Sequence, residues 1–167
     1  SPFLLIYLLR DKLVESSPAR VLTINSEGHR FSRVHLEDLA WKRHLYTGLK
    51  GYGNAKSAQL LCMQKFAEIF SGSGVTINSM HPGEVKSNIG SENSALYRFY
   101  SKHILSHFLK DPLRSAEAIH YLVADDEVEG ISGKFFNLTI EEVPAKHARD
   151  PIMREKVWEK SLELTHL

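Results

Sequence analysis

The chain alternates between stretches whose apolar residues recur at helical spacing and shorter runs that are apolar and β-branched throughout. Residues 2 to 16 begin after Ser1-Pro2, a helix start, and run Phe3-Leu4-Leu5-Ile6-Tyr7-Leu8-Leu9 before turning polar at Arg10-Asp11-Lys12. A helix apolar nearly all round as far as Leu9 is expected to be deeply buried. Ser16-Ser17-Pro18 ends it, and Arg20-Val21-Leu22-Thr23-Ile24-Asn25-Ser26 reads as a short buried strand. Glu27 to Lys50 is a long polar connection with local turns around Leu36-Glu37-Asp38-Leu39. Helical periodicity returns from about Tyr52 to Phe70 and stops at Ser71-Gly72-Ser73-Gly74. Val75 to Met80 is a second strand, closed by His81-Pro82-Gly83, and Ala95 to Leu109 reads as an aromatic amphipathic helix. Pro112 to Ala124 is a further helix with Asp111 as its cap, Ile131 to Leu138 a third strand, and Asp150 to Leu164 a helical tail. Strands separated by helices predict right-handed crossovers and a parallel sheet, an α/β layered fold.

Bulk properties narrow the function classes without choosing one. At 167 residues the chain can bury one substantial core, and a net charge of +1 with interspersed signs gives no nucleic-acid footprint. Cys62 is the one cysteine, which excludes an internal disulfide framework, fits a reducing compartment and reads as a buried structural thiol. The run Phe3 to Leu9 is too short to span a bilayer and lacks the flanks of a secretory signal. Residue 1 is Ser, so the chain is expected to be processed or to be part of something longer.

The candidate chemistry lies in Gly51-Tyr52-Gly53-Asn54-Ala55-Lys56. Four residues apart on a helix, Tyr52 and Lys56 share a face. A phenol titrates near 10 in water, and a neighbouring cation favours the phenolate. Such a pair can serve as a general acid/base on an alcohol or carbonyl oxygen. The motif is short, and a surface Tyr packed on a Lys stem fits it as well. A second match, Tyr46 to Lys50, contains Gly48 and reads as loop. Joint placement adds specificity. In open α/β sheets ligands sit beyond the carboxyl ends of the strands, where Asn25-Ser26, His81-Pro82-Gly83 and the start of the Tyr52 helix all fall.

These segments, with His29-Arg30-Phe31, Asp38-Leu39, Gly74 to Asn78, His81-Pro82-Gly83-Glu84-Val85-Lys86-Ser87-Asn88 and Gly130 to Phe136, make the chain resemble the C-terminal portion of a short-chain dehydrogenase/reductase. The branch is that of retinol dehydrogenases and WW-domain oxidoreductase-like proteins. The resemblance implies a partial Rossmann-type doubly wound parallel sheet and one incomplete domain over 1–167, with a substrate-binding loop at about 84–111 and a tail at about 140–167. It implies hydride transfer with NADP(H), NAD staying open, between a lipophilic alcohol and its carbonyl. Tyr52 would exchange the proton, Lys56 would assist it and hold the nicotinamide ribose, and Ser26 would orient the substrate oxygen. Pro82, Gly83, Val85 and Ser87 would line the nicotinamide. Tyr97, Phe99 and Tyr100 would form a lid over a lipophilic substrate or a face resting on membrane or a partner, with plain packing as the alternative.

Asn25 stands where the family usually has a first serine, and Ser87 where it has threonine. The family's Gly-rich phosphate loop has no counterpart here, since neither Gly51-Tyr52-Gly53 nor Gly72-Ser73-Gly74 follows a strand and opens a helix with a third glycine. By resemblance that half precedes Ser1, so the chain is expected to be inactive by itself, with an open sheet edge. A product of another class, acting by binding or by pairing with an intact subunit, is the alternative. A homo-oligomer and a membrane-surface contact stay open, as does a cytoplasmic or endoplasmic-reticulum setting. No metal is expected: His103 and His107 are four apart, but Ile104 stands where a H-E-x-x-H site needs Glu. The sequon Asn137-Leu138-Thr139 falls in an expected core strand and reads as accidental.

Overall fold

The structure, a computed structural model, describes residues 1–83 and 112–167. Helix α1 (Pro2–Glu15) leads into strand β1 (Ala19–Ile24), and helix α2 (Gly48–Ile69) crosses over to strand β2 (Val75–His81). Helix α3 (Pro112–Ala124), strands β3 (Phe135–Asn137) and β4 (Ile140–Glu142), and helix α4 (Pro151–Thr165) follow. The sheet order is β1-β2-β3-β4. β1 runs parallel to β2 from Ala19↔Val75 to Ile24↔Met80, and β3 runs parallel to β2 from Ser79↔Phe135 to His81↔Asn137. This is the expected α/β class, with one addition. β4 pairs antiparallel with β3, Phe135 opposite Glu142, which the sequence reading did not contain.

Side chains alternate across the sheet and bury two apolar layers. Ile77 and Phe135, with the partly buried Val21, join Phe3, Ile6, Leu60, Leu61, Phe66 and Trp158 of the α1, α2 and α4 face. On the opposite face Met80 and Phe136 pack with Leu22 against Ala118 and Leu122 of α3. Helices therefore cover both faces, as a doubly wound sheet requires. Trp158 belongs to the packing, with its ring edge-on to Phe66 at 4.8 Å and to Phe3 at 5.1 Å.

The structure departs from the periodicity at α2, at β3 and at α1. α2 starts at Gly48, where Thr47 Oγ1 accepts from Lys50 N at 3.2 Å, so Gly51 and Gly53 lie inside a helix. Gly53 is needed for close approach, because a Cβ there would sit 2.6 Å from Gly28 O and 3.0 Å from Ser32 N. β3 is shorter than Ile131 to Leu138 because side chains take over its ladder. Ser132 Oγ accepts from Ile77 N, and Asn78 reaches both Ile131 O and Lys134 N. Leu138, at φ 56°, turns the chain into β4, so the sequon lies on a hairpin and not within a core strand. α1 is the largest departure. Phe3 and Ile6 are buried, but Leu5 and Leu8 are 60% and 65% exposed, so one face of the helix is covered rather than all of it.

Candidate active site

The ends of β1 and β2 and the first turns of α2 meet at the carboxyl edge of the sheet. Asn25 extends the β1 ladder by donating its N–H to Met80 O at 2.7 Å. Its side chain is buried and works as a clamp: Oδ1 accepts from Ser26 N at 2.7 Å and Nδ2 donates to Lys56 O at 3.2 Å. The strand end and the Tyr52 helix are thus tied through one amide. The family's serine at this position would be too short to reach in both directions.

Ser26 caps a 3-10 helix at Glu27–Phe31, its Oγ accepting from Gly28 N at 3.0 Å. That bond uses a lone pair and leaves the hydroxyl proton for an acceptor outside the turn. Gly28 is the hinge of the site. A Cβ on it would lie 2.5 Å from Tyr52 Cε1, 2.7 Å from Tyr52 Cδ1 and 3.3 Å from Ser26 Oγ. The Ser26 hydroxyl and the edge of the Tyr52 ring therefore flank the same glycine, while the ring stays 46% exposed. Lys56 Nζ stands 5.8 Å from the Tyr52 ring centroid and donates to Ile24 O at 3.1 Å and Gln59 Oε1 at 3.2 Å. Burial lowers the Lys56 pKa below its ordinary value. Among the described residues no direct hydrogen bond links Ser26, Tyr52 and Lys56; the three converge on a common edge from β1 and from one face of α2.

Pro82 and Gly83 follow β2 at the same edge. Pro82 O accepts from Ser115 Oγ of α3, and Gly83 takes φ 79° beside Leu138. Val85, Ser87, Tyr97, Phe99 and Tyr100 lie outside the described residues, as do His103 and His107. Tyr46 precedes the α2 cap while Lys50 is within the helix, so that second motif spans a boundary instead of one helical face. Cys62 is buried beside Ser161, and burial pushes its thiol up to about 11, as a structural cysteine requires.

One structural residue of the site was not singled out from sequence. His29 is fully buried, with its ring edge-on to Phe135 at 5.0 Å. Its Nε2 accepts from Ala145 N at 3.2 Å, which leaves Nδ1–H to donate to Ser26 O at 2.8 Å. The ring is held neutral, and burial is the main cause of its lowered pKa. His147 Nε2 donates to His29 O at 2.8 Å, so the Ser26 turn is fastened to the segment before α4. In the sequence His29 stands only within the His29-Arg30-Phe31 segment that carries the resemblance; its burial by distant segments is visible only in the fold.

A parallel-stranded α/β layer of this kind places ligands beyond the carboxyl ends of its strands, where these residues lie. No family model matches the chain. Among curated proteins it is 32% identical over 169 aligned residues to retinol dehydrogenase 13 of Mus musculus, covering 99% of this chain and 51% of that protein. It is 34% identical to retinol dehydrogenase 12 of Mus musculus, covering 97% and 50%. The solved structure of 4-hydroxyisoleucine dehydrogenase complexed with NADH and succinate shares the fold, with a TM-score of 0.54 at 19% identity over 81% of this chain and 51% of that one. A putative uncharacterized protein from Mycobacterium paratuberculosis shares it with a TM-score of 0.57 at 24% identity, over 88% and 50%. The chain is thus similar along nearly its whole length to retinol dehydrogenases, and it shares its fold with a dehydrogenase of solved structure. The chain spans about half the length of the curated relatives it matches.

Proposed function

We propose that this chain carries the proton-transfer half of an NADP(H)-dependent oxidoreductase that interconverts a lipophilic alcohol and its carbonyl. The convergence of Ser26, Tyr52 and Lys56 about Gly28, at the carboxyl edge of a parallel sheet, carries the reading. In the oxidative direction the substrate hydroxyl gives its proton to the Tyr52 oxygen as its carbon gives up a hydride; in the reductive direction Tyr52 donates. Ser26 donates its free proton to the substrate oxygen and fixes its position. The Lys56 ammonium stabilises the phenolate and reaches for the nicotinamide ribose. A nicotinamide would supply the hydride chemistry, and Pro82, Gly83, Val85 and Ser87 are the residues that would hold it. Tyr97, Phe99 and Tyr100 complete the substrate side. NADP is chosen over NAD, and a lipophilic alcohol over other substrates, on likeness to the retinol dehydrogenases.

Because the chain spans half of its relatives, we infer that catalysis needs more polypeptide than these residues. Titration of the chain with NADPH, followed by nicotinamide fluorescence, is expected to show no saturable binding, whereas a longer parent containing it binds and turns over. In that parent Tyr52→Phe lowers kcat by about 10²–10⁴-fold with KM nearly unchanged, the usual loss for a positioned acid/base. An unaltered kcat would remove Tyr52 from the chemistry. The second reading, a non-catalytic product that pairs with an intact subunit, rests on the exposed Leu5 and Leu8 of α1. Co-sedimentation with the intact parent distinguishes it.

A further inference from the structure

The connection between β1 and α2 folds two imidazoles against each other. His35 precedes a 3-10 helix at Leu36–Asp38, and His44 lies beyond it; their ring centroids are 4.5 Å apart. Glu37, between them, brings Oε1 to 3.4 Å from His35 Nδ1. One ligand atom from each of His35, Glu37 and His44 lies within 4.8 Å of the other two. Tetrahedral zinc with bonds of ~2.0–2.1 Å sets its ligand atoms ~3.4 Å apart. The His35–Glu37 pair already has that spacing, and the exposed Glu37 side chain can adjust toward the His44 ring.

A second observation sets this cluster apart from a chance group of surface side chains. Asp38, with its side chain only 3% exposed, accepts from His44 Nδ1 at 2.9 Å. The same carboxylate accepts the backbone N–H groups of Lys42 at 2.7 Å and of Arg43 and His44 at 2.9 Å. It can only accept, so it fixes His44 as the Nδ1–H tautomer and leaves the Nε2 lone pair for a ligand. Metal-bound histidines are held in this way by an outer carboxylate, which sets ring orientation and raises ligand basicity.

We propose that His35, Glu37 and His44 form a binding site for a divalent transition ion of the zinc type, with Asp38 as the positioning residue for His44 and a fourth position open to water. Two imidazoles and one carboxylate suit zinc and its neighbours and disfavour the all-oxygen ions magnesium and calcium. The ion would clip the connection on its way to α2, since Trp41 stacks edge-on to both His35 at 5.8 Å and Tyr46 at 5.6 Å just before the Thr47 cap.

The test is calorimetric titration of the full chain, stripped with chelator, with zinc chloride, paired with Co²⁺ substitution followed by visible spectroscopy. The expected result is one equivalent of zinc at micromolar or tighter Kd and the ligand-field bands of low-coordinate cobalt. His44→Gln abolishes the one-equivalent uptake, and Asp38→Asn weakens it by about tenfold, the usual loss when an outer partner is removed. Because Asp38 also holds the loop, Glu37→Gln at an exposed position is the variant that leaves the fold untouched, and it too weakens binding. Absence of saturable uptake by the parent chain, or uptake unchanged in both His44→Gln and Glu37→Gln, overturns the proposal.

Discussion

Gly28 shows how much of the site depends on a missing side chain. Alanine there would place a methyl carbon 2.5 Å from Tyr52 Cε1, but the Tyr52 ring is the far end of an exposed side chain and can swing away. Gly53 faces backbone instead, with Gly28 O 2.6 Å from a would-be Cβ, and backbone held by hydrogen bonds cannot swing. The same substitution should therefore separate two properties. Gly28→Ala is expected to leave the urea midpoint within the range of a surface change while lowering the turnover of an active parent by about 10²-fold, the usual result of misplacing a reacting group by an ångström. Gly53→Ala is expected to cost about 1–3 kcal/mol of stability, as overpacking does. Equal loss of stability in both would mean that the Tyr52 ring is not free to yield.

At the scale of elements, the Ser26 turn is fastened by a histidine that must stay neutral. Ala145 N donates into His29 Nε2, so a proton added there would meet another donor. Burial lowers the His29 pKa in the folded state, while the unfolded chain takes up that proton near 6.5. The unfolded state thus binds more protons in this range, and stability rises with pH. His29's contribution is complete above about 6.5 and is lost as pH falls through its lower folded value. Urea unfolding followed between neutral pH and about pH 5 should show a falling midpoint, and His29→Gln should flatten that fall while lowering the neutral-pH midpoint. A midpoint flat over this range in the parent chain would contradict the neutral fastening.

Elements were legible in the sequence where one local cause set them. Pro112 at the first turn of α3, Asp150 capping Ile152 and Met153 at the start of α4, and the β-branched run of β2 all stand where periodicity and capping put them. The start of α2 was misplaced because Gly51 and Gly53 signal loops locally, while the tertiary approach of Gly28 and Ser32 requires them inside a helix. β4 was missed because Ile140-Glu141-Glu142 is short and polar, and its pairing is set by the Leu138 turn and not by its own pattern. Of the site, the Tyr52 and Lys56 spacing and the Ser26 strand end could be read directly. The Asn25 clamp, His29 and the His35–Glu37–His44 cluster could not, because their partners are brought together only by folding.

For the whole molecule, the two layers of helices make the sheet a barrier between two apolar cores, with the candidate site along one edge of it. Among the described residues no helix is long and apolar enough to cross a membrane. α1 leaves an apolar face exposed at Leu5 and Leu8; replacing both with Gln is expected to leave the urea midpoint nearly unchanged and to lower whatever self-association sedimentation detects in the unsubstituted chain. An increase in the associated fraction would assign contact between copies to another surface.

Among the described residues β1 ends the strand order, and its pairing alternates. Ala19 N donates to Gly74 O and Asn25 N to Met80 O, so the odd-numbered amides of the strand point inward to β2. Those of Arg20, Leu22 and Ile24 point the other way. In deuterated water the strand should therefore label like a comb, every second tooth filling early while Val21 and Thr23 stay dark. Any polypeptide that docks there as a neighbouring strand would slow those teeth first, which makes β1 a built-in reporter of such docking.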